Sequence, residues 1–186
     1  MSAVRLKPRP SNTVRIVGGE FRRRVLRFPD LPGLRPTPDR VRETLFNWLG
    51  QDLSGWSCLD AFAGSGALGF EAASRGAARV LMLERDAKAV AALREQAMAL
   101  PAPAVEIRQG DAIAFLTLPG EGFDFILLDP PFDRELLAPA LRAAATRLNP
   151  GGKIYAESPR DLAPEGLTVL RRGRAGLSHF CLLETV

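Results

Sequence analysis

Cysteine and histidine are scarce in this chain. Its 186 residues include two cysteines, Cys58 and Cys181, and one histidine, His179. Two cysteines this far apart do not make a disulfide framework. With one histidine added they are too few for a structural zinc site, so no metal is expected. No stretch approaches the roughly 18 uncharged apolar residues of a membrane-spanning helix. The first ten residues, MSAVRLKPRP, lack the apolar run of a secretory signal, so a cytoplasmic protein that meets no membrane is expected. With 46% hydrophobic and 25% charged residues, disordered and fibrous readings fall away. At about 150 residues per domain, the length allows one domain with a modest extension.

Lysine is also sparse, and the basic charge is almost all arginine. Residues 1–50 carry eleven basic and four acidic side chains, a net of +7, and residues 51–186 carry fourteen and seventeen, a net of −3. A basic arm therefore precedes a mildly acidic body. Such a block often meets phosphate backbones, but an arginine-rich solvated surface looks the same on charge alone.

The pattern divides at about residue 50. The first dozen residues, with Pro8 and Pro10, read as a tail. Residues 13–17 and 21–28 read as two strands of a hairpin turning at Gly18-Gly19, which would present Arg15, Arg22, Arg23, Arg24 and Arg27. Four prolines and a glycine make residues 29–38 an irregular connector. A helix is predicted from Pro38 to Gly50, with Val41, Leu45, Trp48 and Leu49 on one face. Beyond it, strands alternate with helices. Strands are expected at 57–62, 79–84, 104–109, 123–128 and 153–157. Helices are expected at 67–75, from Asp86 to Met98 with Met98 inward, and up to Leu148 with an interruption at Pro139. A closing pair, 167–171 and 177–185, would turn at Arg172-Gly173. Repeated βα units argue for a doubly wound α/β domain over residues 51–186, preceded by the extension 1–50.

The segment Asp60-Ala61-Phe62-Ala63-Gly64-Ser65-Gly66-Ala67-Leu68-Gly69 lies where the first strand of the body turns into its helix. Gly64, Gly66 and Gly69 satisfy G-x-G-x-x-G, and Glu84 ends the second strand twenty residues after Gly64. On spacing alone, strand, glycines, helix and acid match the dinucleotide-binding fingerprint, in which the acid holds a ribose hydroxyl. Two features favour S-adenosylmethionine over a nicotinamide dinucleotide. Asp60, at the mouth of the loop, would repel a pyrophosphate but attract an ammonium group, directly or through water. Asp111 and Ala112, after the third strand, could receive an adenine. Asp111 reads equally well as a helix cap, and both roles can coexist.

The fourth strand runs into Asp129-Pro130-Pro131-Phe132. This is the carboxyl end of a central strand, where open α/β sheets place their chemistry. Consecutive prolines stiffen the turn and fix the direction of their carbonyls. The Asp129 carboxylate and the Pro130 carbonyl can both accept from one planar NH₂ group, and Phe132 offers a face for a base. An exocyclic amine is a poor nucleophile because its lone pair is delocalised into the ring. Two fixed acceptors orient it and favour its pyramidal form as positive charge develops. The base must leave its stack to reach them.

Taken in order, LDAFAGSGALGFEAASRGA, the acidic end of VLMLERD, GDA and DPPF resemble the class I S-adenosylmethionine-dependent methyltransferases. RIVGGEFRRRVLRFP and then RPTPDRVRETLFNWL narrow the resemblance to the RsmD family, bacterial 16S rRNA guanine-N2 methyltransferases. The similarity runs from about Arg15 to the last strand. It implies a Rossmann-like, seven-stranded, mostly parallel sheet with its last strand antiparallel, and a small N-terminal extension. It implies S-adenosylmethionine held by residues 60–68, with Glu84 on the ribose, Asp111-Ala112 near the adenine and Arg85 also among the cofactor-binding residues. Arg35 and Thr37, of the RPT segment, would lie on the cofactor side or act as a lid. Asp129 to Phe132 would hold a flipped guanine, with Phe132 standing where the family more often has tyrosine. The implied partner is 16S rRNA in the assembling or assembled small ribosomal subunit, with neighbouring ribosomal proteins as part of the surface, met by a monomer.

Other readings keep parts of this set. The same loop could methylate adenine N6 or a protein glutamine, and a non-enzymatic RNA-binding factor could retain a relict cofactor loop. A nicotinamide oxidoreductase is disfavoured by Asp60 and by the DPPF loop. His179 and Cys58 read as structural residues. Arg171 to Arg174 read as a solvated basic turn and Trp48 as core, although Trp48 and Trp56 could also serve as stacking platforms.

Overall fold

The computed structural model describes residues 12–132 and 135–186, so the tail reading falls almost wholly outside it. Two short strands, β1 (Thr13–Arg15) and β2 (Val25–Arg27), pair antiparallel, and α1 (Asp39–Leu49) follows. The body contains β3 (Ser57–Asp60), α2 (Ala67–Ser74), β4 (Arg79–Glu84), α3 (Ala87–Ala99), β5 (Val105–Gln109) and α4 (Ala112–Thr117). It continues with β6 (Phe123–Leu128), α5 (Leu137–Ala145), β7 (Leu148–Ser158), β8 (Leu167–Ala175) and β9 (Ser178–Thr185). The seven body strands form one sheet in the order β5-β4-β3-β6-β7-β9-β8. The first five run parallel and β9 lies antiparallel between β7 and β8. The predicted Rossmann-like sheet is therefore present. Its winding reverses between β3 and β6, so the carboxyl ends of those strands open a crevice at the switch point.

β6 shows why the centre of the sheet holds. Phe125 and Leu127 pack on one face, and Phe123, Ile126 and Leu128 on the other. All five are fully buried, as a central parallel strand covered on both sides requires. Residues 12–50 do not sit apart from this core. Val14, Ile16, Phe21, Leu26, Val41, Leu45 and Phe46 are buried in the same cluster as Phe70, Met82 and Phe125.

Several expected details change. The hairpin is real, but its strands are three residues each and residues 16–24 form an irregular link. The link is held from outside rather than closed by a tight glycine turn. Val17 and Gly18 give their N–H groups to Glu71, and Phe21 gives its own to the Ser74 hydroxyl. Met98 points to solvent with 76% exposure, because the buried stripe of α3 runs through Ala89, Val90 and Leu93. Pro139 does not interrupt α5. It lies in the first turn, where a backbone N–H has no helical partner to lose. β7 begins at Leu148, five residues before the expected start, with a register shift against β6. The closing pair turns at Gly176-Leu177, so Arg172 and Gly173 lie within β8. A Cβ on Gly173 would run into the Phe180 ring, which explains a glycine in mid-strand.

Both tryptophans pack inward. The Trp48 ring lies 5.4 Å from that of Phe180, and Trp56 lies 6.4 Å from Phe125. Both cysteines are buried and free. Among the described residues no helix is long and apolar enough to cross a membrane, and no cluster of acids, cysteine and histidine could hold a metal.

Candidate active site

Three acids end three neighbouring strands at the crevice: Asp60 on β3, Asp129 just past β6, and Glu157 on β7. None takes part in an ion pair among the described residues.

Asp60 is buried, and its Oδ2 accepts the N–H of Gly69 at 2.9 Å, spanning the glycine loop from inside. Burial pushes its carboxyl up to about 7, against the lowering effect of the Gly69 bond. Gly66 enters α2 with φ at +79°, and a Cβ there would lie 2.6 Å from Leu93. Only glycine meets both conditions. Ala61 and Ala63 donate to Leu127 and Leu83, anchoring the loop to the flanking strands, and Phe62 packs half-buried against the core. The Ser65 hydroxyl accepts from Ala67, and Ala67 and Leu68 are buried in the first turn of α2.

Glu84 fastens the loop from the next strand. One oxygen accepts the Gly64 N–H at 2.9 Å and the other that of Asp86 at 2.8 Å. Arg85 is exposed beside it, 4.0 Å from Asp111. Asp111 caps α4 through a bond from the Ala114 N–H at 2.9 Å, so the capping role is the one seen, and Ala112 is buried behind it. A Cβ on Gly110 would meet nothing within 4 Å, so this strand end faces open space.

Thr37 brings the arm to the crevice. It is buried, and its hydroxyl donates to Asp129 Oδ2 at 3.2 Å. Arg35, two residues earlier, is exposed. Burial raises the Asp129 carboxyl well above its ordinary value; the neighbouring Glu157 and Asp60 add to this, and the Thr37 bond opposes it. Pro130 is buried, Pro131 is exposed, and Phe132 is 47% exposed, free to take a flat partner.

Three further residues shape the site, and pattern reading missed them. Arg42 is fully buried on α1. Its Nε donates to the Thr37 carbonyl at 3.0 Å, and Nη1 donates to the Arg15 carbonyl and to Glu71, each at 2.8 Å. Nη2 meets Asp39. Glu71, fully buried on α2, also accepts from Arg75, Val17 and Gly18. This knot ties the hairpin link, the Thr37 segment and α2 together. A lone glutamate in the otherwise apolar run ALGFEAAS was its visible signal. Glu157 is the third: its carboxylate accepts from the Tyr155 hydroxyl at 2.7 Å and from Ser178 at 3.0 Å.

The hairpin arginines Arg22, Arg23 and Arg27 are exposed. Arg24 is exposed too and reaches the Ala99 carbonyl, whereas Arg15 pairs with Asp39 at 2.8 Å.

A sheet in this order, with a glycine loop after its first strand and an Asp-Pro-Pro-Phe loop after its fourth, has the architecture of the Rossmann-like methyltransferases. Residues 14–184 match the family described as conserved hypothetical protein 95, and the chain belongs to it. A curated relative from Haemophilus influenzae, "Ribosomal RNA small subunit methyltransferase D", is 38% identical over 186 residues, covering 95% of this chain and 96% of that protein. The protein of the same name from Escherichia coli is 47% identical over 127 residues. That match takes in 68% of this chain and spans 64% of the relative's length. A solved structure from Escherichia coli shares 38% identity with a TM-score of 0.83, covering 93% of this chain and 98% of the other.

Proposed function

We propose that this chain transfers a methyl group from S-adenosylmethionine to the exocyclic N2 of a guanine in 16S rRNA, on the assembling or assembled small ribosomal subunit in the cytoplasm. The observation that carries the reading is Asp129. It stands at the carboxyl end of β6 beside the glycine loop, with Thr37 bonded to it and an exposed aromatic three residues on. The names of the curated relatives point to the same substrate.

The residues fit the cofactor. The loop is built around backbone that only glycine allows, Gly110 opens onto free space, and Asp60 is a buried carboxyl with no ion-pair partner among the described residues. Residues 60–68 would hold the methionine part, with Asp60 facing its ammonium. Glu84 and Arg85 would stand at the ribose and Asp111-Ala112 at the adenine, with Arg35 and Thr37 on the covering side. Bound there, the cofactor supplies an activated methyl group. The chain's own part is to bind, orient and desolvate the amine. Asp129 and the Pro130 carbonyl accept its two hydrogens while Phe132 stacks on the base, so the lone pair is aimed rather than delocalised. The exposed arginines of residues 1–50 would hold the RNA backbone, leaving 51–186 as the catalytic body.

The test is methyl transfer from labelled cofactor to small subunits from a strain lacking this gene, with the modified nucleotide mapped. Asp129→Ala is expected to abolish transfer while calorimetry still shows cofactor binding. Near-normal turnover in that variant, or a label on adenine, would overturn the assignment.

A further inference from the structure

The strand register places a second carboxyl directly beside Asp129. Leu128 of β6 is paired with Ala156 of β7, so the next residue on each strand, Asp129 and Glu157, are neighbours at the same sheet edge. In-register residues on parallel strands point to the same face. The groups packed around Glu157 are Tyr155 from its own strand, Ser178 from β9 and Thr37 from the arm, with Asp129 from β6. Asp60, from β3, also bears on Asp129. All of these are neutral donors or further acids, and the described residues place no cation in an ion pair with either carboxyl. Two adjacent carboxyls, one buried and one half-buried, with no counter-charge among the described residues, resist ionising together near neutral pH, and a pair of this kind can hold one proton in common.

We propose that Glu157 is the positioning residue for Asp129: the two carboxyls share one proton, and the pair takes up the proton that the target amine releases. This rests on the methyl-transfer reading above. Once N2 has gained its methyl group it carries one proton too many. The N–H bond to Asp129 breaks with its electrons staying on nitrogen, and an O–H bond forms on Asp129. The proton already held moves to Glu157, where Tyr155 and Ser178 keep the carboxyl oriented. The extra proton leaves to water when the product departs, and no further reactant is needed. Glu157 does not touch the base, because its oxygens face Tyr155 and Ser178 from a buried position.

The test uses the full chain and Glu157→Gln, which keeps the size of the side chain and removes its charge. Infrared spectra of the protein alone, without RNA or cofactor, should show a protonated-carboxyl band near neutral pH. An Asp60→Asn background removes the contribution of that acid. In Glu157→Gln the band should weaken and shift, because the proton is no longer shared with a like-charged neighbour, while burial, the larger influence, still favours protonated Asp129. The acidic limb of the kcat/KM profile should move down by about one pH unit or more. Where Glu157→Gln fails to fold, Tyr155→Phe combined with Ser178→Ala withdraws the two bonds that favour ionised Glu157 and should move the same limb upward. A band and a limb that stay in place, whatever happens to the rate, would overturn the proposal. The infrared arm needs no substrate, so its failure is separate from the failure of the guanine assignment, which Asp129→Ala tests.

Discussion

Arg42→Met is the sharpest perturbation the fold allows away from the crevice. The substitution keeps most of the volume and removes the charge and all three donor nitrogens. Two carbonyls, those of Thr37 and Arg15, lose a donor inside the protein. Glu71 loses one of its two cations while remaining fully buried, and keeps Arg75 with the N–H groups of Val17 and Gly18. Breaking a buried pair from one side costs about 3–5 kcal/mol, because the surviving charge is left uncompensated. The retained Arg75 pulls the figure toward the lower end, and the stranded carbonyls, at roughly 1–3 kcal/mol each, pull it back up. About 4 kcal/mol is expected. For a chain of this size that is a fall in Tm of roughly 8–16 °C, or a urea midpoint lower by about 2 M.

A double-mutant cycle separates the ion pair from general damage. Glu71→Gln alone leaves Arg42 and Arg75 buried with a weaker acceptor. In the double variant neither the stranded anion nor the crowded cations remain. The two effects should fall short of additivity by about 1–3 kcal/mol. Urea unfolding of the four proteins supplies the cycle. Additivity within about 0.5 kcal/mol, or a cost below about 1 kcal/mol for Arg42→Met, would refute the claim that this knot holds the arm to the body.

Two more expectations concern charge. The Asp60 carboxyl rises on folding from an ordinary value to about 7, so folding favours its protonated form. Its contribution is intact below about pH 4 and is lost as pH rises toward 7, at most roughly 4 kcal/mol. Asp60→Asn should flatten that decline in a pH series of unfolding curves, and an unchanged slope would show that Asp60 titrates normally. Replacing Arg22, Arg23 and Arg24 with alanine should leave cofactor affinity alone and make the salt dependence of RNA binding shallower by about 2–3 in log–log slope. An unaltered slope would remove the hairpin from the RNA interface.

The strands of the body were legible because buried parallel strands are nearly continuous apolar runs. RVLMLE and FDFILL keep their predicted limits, 79–84 and 123–128. The glycine loop was legible because its glycines answer to a backbone shape that spacing records. The hairpin link was not, since its conformation is set by Glu71 and Ser74, more than fifty residues away. The Gly18-Gly19 pair looked like a tight turn and is instead where the link lies against α2, with Gly18 bonded to Glu71 and Glu20 to the Ser74 carbonyl. Arg42 was hidden for a similar reason. A charge on the core side of an amphipathic helix breaks the expected period, and only its distant partner accounts for it.

The same contrast explains how the two halves of the chain divide the charge. The arm's buried cation, Arg42, is spent inside the fold on Glu71 and Asp39, so it does not reach the crevice. Among the described residues no cation pairs with the acids of the crevice: Asp60 bonds to a backbone N–H, Asp129 to a hydroxyl, and Glu157 to two hydroxyls. Hydrogen bonds from neutral groups satisfy the lone pairs without cancelling the charge, at a cost in stability that a well-packed apolar site would not carry. A pocket built this way is unfavourable empty at neutral pH and becomes favourable with a cation in it. Sulfonium and ammonium groups meet that need, and a pyrophosphate would worsen it. The exposed hairpin arginines, Arg22, Arg23 and Arg27, offer a surface on which a polyanion could be held without entering the acidic crevice. Backbone phosphates on the arm and a single base in the crevice are therefore compatible with one bound RNA only if that base is turned out of its stack.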